Sequence, residues 1–164
     1  MEKRYIIGID QSTQGTKALL FDGVGHLLRR TDLPHRQIVN EKGWVSHDLN
    51  EIYRNTVQTV KTLVAESGVA PETIAGIGIS NQRETTAIWD KATGEPLEEA
   101  IVWQCGRASG IAQEIAEQGH AEEIREATGL QLSAYFPAAK MAWLLRNGGV
   151  EEPNKGEDRI LVKS

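Results

Sequence analysis

Eight consecutive residues, Asp10-Gln11-Ser12-Thr13-Gln14-Gly15-Thr16-Lys17, stand between two apolar runs at 5–9 and 18–21. A carboxylate, three hydroxyls, a glycine and a lysine in one tight turn are the groups that bind phosphate. Hydroxyls and successive backbone N–H groups make an anion-binding concavity, and the lysine adds a point charge. Asp10, at the end of the first run, suits a magnesium ion held largely through water, because a hard cation prefers carboxylate oxygen. The turn is not a Walker loop. Gly15-Thr16-Lys17 has the wrong order for that motif, and an apolar run follows it where the motif needs a helix. By itself the turn reads equally well as a plain β-hairpin with a soluble tip.

A second polar cluster, Ser80-Asn81-Gln82-Arg83-Glu84, follows the apolar run 74–79. The Arg83 guanidinium offers fork-shaped donors and the Glu84 carboxylate offers acceptors. A neutral polyol needs both, since each of its hydroxyls donates and accepts. Taken alone, the pair is also what a surface ion pair looks like, and such pairs contribute little to stability.

Several elements must position these groups. Runs at 5–9, 18–21 and 26–31, separated by short polar turns, predict a three-stranded antiparallel meander. Leu49, Ile52, Tyr53, Val57, Val60, Leu63 and Val64 recur at helical spacing. Asp48 and Glu51 suit a capping box before this helix, and Gly68 suits its end. The apolar run 74–79 reads as a strand covered on both faces. A strand, a helix and a strand in that order predict a crossover to a parallel neighbour. In such sheets ligands bind beyond the carboxyl ends of the strands, so neighbouring strands would turn both polar clusters toward one cleft. Further on, the pattern predicts a strand at 85–89 turned by 90–94. Helices follow at 107–118, 121–128 and 138–146, closed by Gly119, Gly129 and Gly148, then a loop at 151–158 and the start of a strand at 160–162.

Composition narrows the function classes. The 164 residues are 40% hydrophobic and 25% charged, enough to bury a core. A formal charge of -5 without a Lys/Arg cluster argues against a nucleic-acid surface. No apolar run is long enough to span a bilayer. The single cysteine, Cys105, excludes an intrachain disulfide and fits a reduced, cytoplasmic protein. His26, His35, His47 and His120 lack metal-ligand spacing. Cys105 reads as an inert buried thiol, Trp44 and Trp143 as packing, His47 as structural, and Lys140 and Arg146 as a solvated helix face.

Asn81-Gln82-Arg83-Glu84-Thr85-Thr86, followed by Ala100-Ile101-Val102-Trp103-Gln104-Cys105, resembles the FGGY family of carbohydrate kinases, and within it the branch that phosphorylates glycerol. Gly43-Trp44-Val45-Ser46-His47-Asp48, and Thr128-Gly129-Leu130 followed by Tyr135-Phe136, fit the same pattern in the same order. The resemblance implies an α/β, ribonuclease-H-like (actin-like ATPase) domain. That fold has a three-stranded antiparallel meander, parallel strands and helices on both faces. Residues 1–164 would be the N-terminal part of the first, substrate-binding domain, itself incomplete, with a second domain beyond Ser164.

The implied reaction is ATP plus glycerol giving glycerol 3-phosphate and ADP, with Mg2+. In this reading Arg83, Glu84 and Tyr135 bond the polyol hydroxyls and Trp103 packs on the carbon backbone. Asp10 belongs to the magnesium and phosphate site; Thr13, Gln14, Gly15 and Lys17 approach the nucleotide phosphates. The general base would lie beyond Ser164, so these 164 residues alone would turn over slowly or not at all. The implied partner is a small polyol, with no nucleic acid and no membrane; the resemblance leaves the oligomeric state of the full-length protein open, a homo-oligomer being one option. Ser12, Gln14, Gly15 and Lys17 depart from the glycerol branch and look more like pentulose kinases, and Gly106 is a smaller difference. A kinase acting on a pentulose and a non-catalytic nucleotide- or sugar-binding module are the alternatives.

Overall fold

In the computed structural model, residues 4–148 are described in full and 160–163 by their backbone; the loop expected at 151–158 lies outside the described residues. The chain divides into two compact units, Met1–Gln37 with Asn50–Gln82, and Ile38–Leu49 with Arg83–Ser164.

The first unit is built on β1 (Tyr5–Gln11), β2 (Gly15–Phe21), β3 (Leu27–Pro34) and β6 (Ile74–Ser80), in the order β3-β2-β1-β6. β1, β2 and β3 form the expected antiparallel meander. After helix α1 (Leu49–Ser67) the chain returns as β6, parallel to β1. Strand periodicity explains the layering. Ile7, Ile9, Ala18 and Leu20 alternate onto one face and pack with Leu63, Val60 and Val64 of α1. Asp10 and Lys17, paired in register, sit one residue out of phase and so take the other face.

α1 keeps the expected apolar stripe except at Tyr53. Thr59 and Leu63 are its buried residues, while Tyr53 is 71% exposed. Counting only apolar residues misses part of the inward face, because two threonines share it with Leu63. Thr56 bonds Gln11, and Thr59 donates to the Asn55 carbonyl behind it. Gly68 ends the helix with φ +70°, a conformation glycine adopts at little cost.

β6 is less covered than its sequence suggests. It lies at the sheet edge, with Ile77 56% and Ile79 68% exposed. Among the described residues no strand pairs with its other side.

The second unit holds a small antiparallel sheet of β4 (Ile38–Val39), β5 (Val45–His47) and β8 (Ala100–Ile101), and a pair formed by β7 (Ala87–Asp90) and β9 (Ile160–Lys163). Its helices are α2 (Ser109–Glu117), α3 (Ala121–Thr128) and α4 (Pro137–Asn147). Val45, Ile88, Ile101, Val102, Cys105 and Leu144 form one core, and Ala108, Ile111, Ala112 and Ala139 another. β4 and β5 have two and three residues, too short to show a period, and the sequence reading does not contain them. The strand expected at 85–89 begins two residues later. Residues 107 and 108, the start of the expected 107–118 helix, belong instead to a separate 3-10 turn, Gly106–Ala108.

Candidate functional site

The hairpin between β1 and β2 brings the expected phosphate-binding groups together. Lys17 Nζ lies 2.7 Å from Asp10 Oδ2 and 3.5 Å from Ser12 Oγ. Both side chains of the ion pair are partly exposed, so the pair is accessible. Across the parallel pair, Asp10 is opposite Ser80, so both strand ends leave the same edge of this sheet. Ser12 closes the turn, its N–H and its hydroxyl both donating to the Gly15 carbonyl at 3.0 and 2.9 Å. Gln14 is exposed at the tip.

Gly15 is there for a reason other than flexibility. It is buried, and a Cβ would run into the Leu33 carbonyl oxygen and lie 3.0 Å from Pro34 Cα on β3. Glycine lets the β2–β3 backbones approach where the loop begins.

Behind the hairpin, on the face opposite the Asp10–Lys17 pair, lies a polar network absent from the sequence reading. His35 is 8% exposed. Its Nε2 sits 2.6 Å from the Gln11 amide nitrogen and 3.2 Å from Thr16 Oγ1; its Nδ1 sits 3.1 Å from Asn55 Nδ2. The Thr16 and Thr56 hydroxyls donate to Gln11 Oε1 at 2.7 and 2.9 Å. The network ties the β1–β2 hairpin to α1. Burial pushes the His35 pKa below its usual value, although the Glu51 charge pulls it upward. The only sequence signal for it was the polar alternation of Gln11 and Thr16 with Asp10 and Lys17.

The donor set can be compared with metals by its chemistry. Among the described residues no three His, Cys, Asp or Glu side chains gather closely enough to hold an ion. Asp10 alone, beside hydroxyls, fits magnesium. That ion keeps several waters and takes one or two carboxylates together with substrate phosphates.

The second set lies in the second unit. Arg83 is exposed and Glu84 half-buried. Glu84 has φ 60°, and it is the one non-glycine residue in the left-handed region among those described. Thr85 and Thr86 run beside the end of β8. The Trp103 N–H donates to Thr85 Oγ1 at 3.2 Å, and Thr86 exchanges backbone hydrogen bonds with Ile101 at 2.9 and 2.8 Å. Trp103 then meets Tyr135 edge to face, with ring centroids 5.9 Å apart; Tyr135 meets Phe136 likewise at 5.1 Å. Both Trp103 (36%) and Tyr135 (42%) stay exposed. Two aromatic rings set at an angle and open to solvent form an apolar corner near hydrogen-bonding groups. Small ligands with a carbon chain and hydroxyls fit such a corner.

Two expectations need correction here. Lys140 is not on a solvated face: it is fully buried. Its ammonium donates to the carbonyls of Ala134 (2.8 Å), Tyr135 and Phe136 (3.3 Å). Burial lowers its pKa to about 8, against the upward pull of Glu84 and Cys105. Arg146 is on the surface as expected, paired with Glu114 at 2.7 Å. Cys105 is buried, but its surroundings are not neutral. Burial pushes the thiol up, yet hydrogen bonds from Arg107 and Val45 and the guanidinium charge bring it below its usual value. Arg107 Nε lies 3.1 Å from the sulfur, and its guanidinium stacks between Trp44 and Trp143 at 5.0 and 5.2 Å.

Known proteins resemble this chain in sequence and in fold. Residues 5–154 match the FGGY family of carbohydrate kinases, N-terminal domain. The chain is 45% identical over 156 residues to glycerol kinase 2 of Thermotoga maritima, covering 94% of this chain and 32% of that protein. It is 45% identical over 158 residues to the glycerol kinase of Enterococcus casseliflavus, covering 95% and 31%. The structure of Plasmodium falciparum glycerol kinase with ADP superposes with a TM-score of 0.86 at 32% identity, over 99% of this chain and 33% of that one. A ligand-bound xylulose kinase from Lactobacillus acidophilus gives 0.77 at 26% identity, over 87% and 28%. The chain thus spans about a third of the length of the relatives it matches.

Proposed function

Since this chain belongs to the FGGY family of carbohydrate kinases, we propose that the protein carrying it transfers the terminal phosphoryl group of ATP to glycerol, yielding glycerol 3-phosphate and ADP. Phosphoryl transfer is mostly positioning and electrostatic stabilisation, and the residues described here are of that kind. Arg83 donates to polyol hydroxyls, Glu84 accepts from them, and Tyr135 adds a phenolic group. The Trp103 ring lies against the carbon chain. Lys17 and the Thr13-Gln14-Gly15 turn meet the nucleotide phosphates, and Asp10 would hold a magnesium ion. When bound, the ion neutralises charge on the phosphates.

The observation that carries this reading is the Trp103–Tyr135 corner, with Trp103 bonded to Thr85, the residue that follows a glutamate in a left-handed conformation. Exposed aromatic surface and a strained backbone both cost stability, and such features concentrate at ligand sites. Both glycerol kinase sequences and the glycerol kinase structure support glycerol over a ketose. ADP release by the intact protein, measured with glycerol, erythritol and xylulose, tests the proposal. The highest kcat/KM is expected with glycerol; a higher value with xylulose would transfer the assignment to the pentulose branch, and no turnover with any of the three would end it.

A further inference from the structure

Lys140 stands in the first turn of α4, four residues after Phe136. A cation there is on the wrong end of the helix dipole, whose N-terminus favours negative charge. It is also fully buried, which lysine almost never is without partners. An apolar side chain of similar length would fill the same volume without either cost. The compensation is local. An ammonium has three protons, and here three successive carbonyls, those of Ala134, Tyr135 and Phe136, receive hydrogen bonds from it. The Ser133 hydroxyl closes the other side of the same loop by accepting from the Tyr135 N–H at 3.1 Å. Tyr135 is therefore held through its carbonyl and its N–H, and its ring meets Trp103 edge to face. Glu84, from the segment that carries the polyol-binding pair, pulls the Lys140 pKa upward against burial.

We propose that Lys140 is a positioning residue for the polyol: by gathering the carbonyls of 134–136 it sets the angle of Tyr135 against Trp103, and thereby the fit of the substrate. The proposal rests on the reading of Tyr135 as a polyol contact. It distinguishes Lys140 from an ordinary core residue, which would affect stability without affecting one substrate more than the other.

The test is a double-mutant cycle in the intact protein, read by steady-state kinetics with thermal unfolding as a control. Lys140→Met is expected to raise KM for glycerol about tenfold and to change KM for ATP by less than about twofold. Lys140→Arg, which keeps charge and donors, should recover part of that loss. In a Tyr135→Ala background, Lys140→Met should add less than about twofold, because the residue it positions is gone. Equal losses in both backgrounds, or an equal rise in KM for ATP, would overturn the inference while leaving the polyol reading intact. An unchanged KM for glycerol in Tyr135→Ala itself would remove both. If Lys140→Met does not fold, Lys140→Arg carries the same cycle: its effect on glycerol must disappear with Tyr135, and persistence would overturn the inference.

Discussion

Glu84 holds φ 60°, where an L side chain crowds its own backbone, at a cost of about 1–3 kcal/mol. Glycine escapes that cost, so Glu84→Gly should leave the unfolding free energy unchanged or raise it by up to about 1 kcal/mol, while saturation by glycerol is lost. Chemical denaturation and a glycerol titration on the same variant check this; a clear loss of stability would mean that the glutamate serves the fold. Its neighbour Arg83 is exposed. If it grips hydroxyls, Arg83→Ala weakens polyol binding by about 1.5–3 kcal/mol for each charged hydrogen bond lost, with ATP affinity barely changed. An unchanged KM for glycerol would remove Arg83 from the site. The residue types at 83 and 84 were readable because chemistry is written in side chains. The φ of Glu84 was not, since nothing in the local pattern demands it. Lys140 was misread for a related reason: helical spacing predicts which face a residue takes, but not that three carbonyls will wait beneath it.

At the scale of elements, the β1–β2 hairpin is held by two devices. One is the absent side chain of Gly15 against Leu33 and Pro34. Gly15→Ala should cost about 1–3 kcal/mol, the usual price of forcing a group into filled space, and should raise KM for ATP as the turn shifts. A variant of full stability would show that β3 can move aside. The other device is the His35 network between the hairpin and α1. Burial holds the His35 pKa below its usual value, so the folded chain prefers the neutral ring. Above pH about 6.5 the ring is neutral in both folded and unfolded chains and costs nothing. As the pH falls through that value the unfolded chain takes up the proton first, and stability drops until the folded ring also protonates. Denaturation curves of His35→Gln and the parent should therefore diverge below pH about 6.5 and run parallel above it. Parallel curves throughout would mean that the ring titrates as it does in water. The sequence showed the meander, α1 and the crossover strand because each has a clear period. It did not show this network, whose members are threonines and amides scattered over β1, β2, α1 and the end of β3, with only contact in space to relate them.

Over the whole molecule, the residues proposed for phosphate and those proposed for the polyol fall in different units of the chain. Asp10, Thr13 and Lys17 belong to the first, and Glu84, Trp103 and Tyr135 to the second. β6, expected to be covered on both faces, instead exposes Ile77 and Ile79, because an apolar run gives a strand's burial potential and not what is present to cover it. The division predicts that binding of the two substrates can be separated by mutation. A ligand that binds only the folded state stabilises it by RT ln(1 + [L]/Kd), about 2.7 kcal/mol at a hundred times Kd. In the intact protein, glycerol and Mg-ATP should each raise the thermal midpoint. Asp10→Asn removes charge from the phosphate side only, so it should keep the glycerol shift, lose most of the Mg-ATP shift and turn over far more slowly. Tyr135→Ala should do the reverse, keeping the Mg-ATP shift and losing that of glycerol. Calorimetry of both variants with each ligand gives four shifts. If Asp10→Asn turned over normally, Asp10 would have no part in the reaction; if either variant lost both shifts equally, the two sets of residues would not act as separate binding functions.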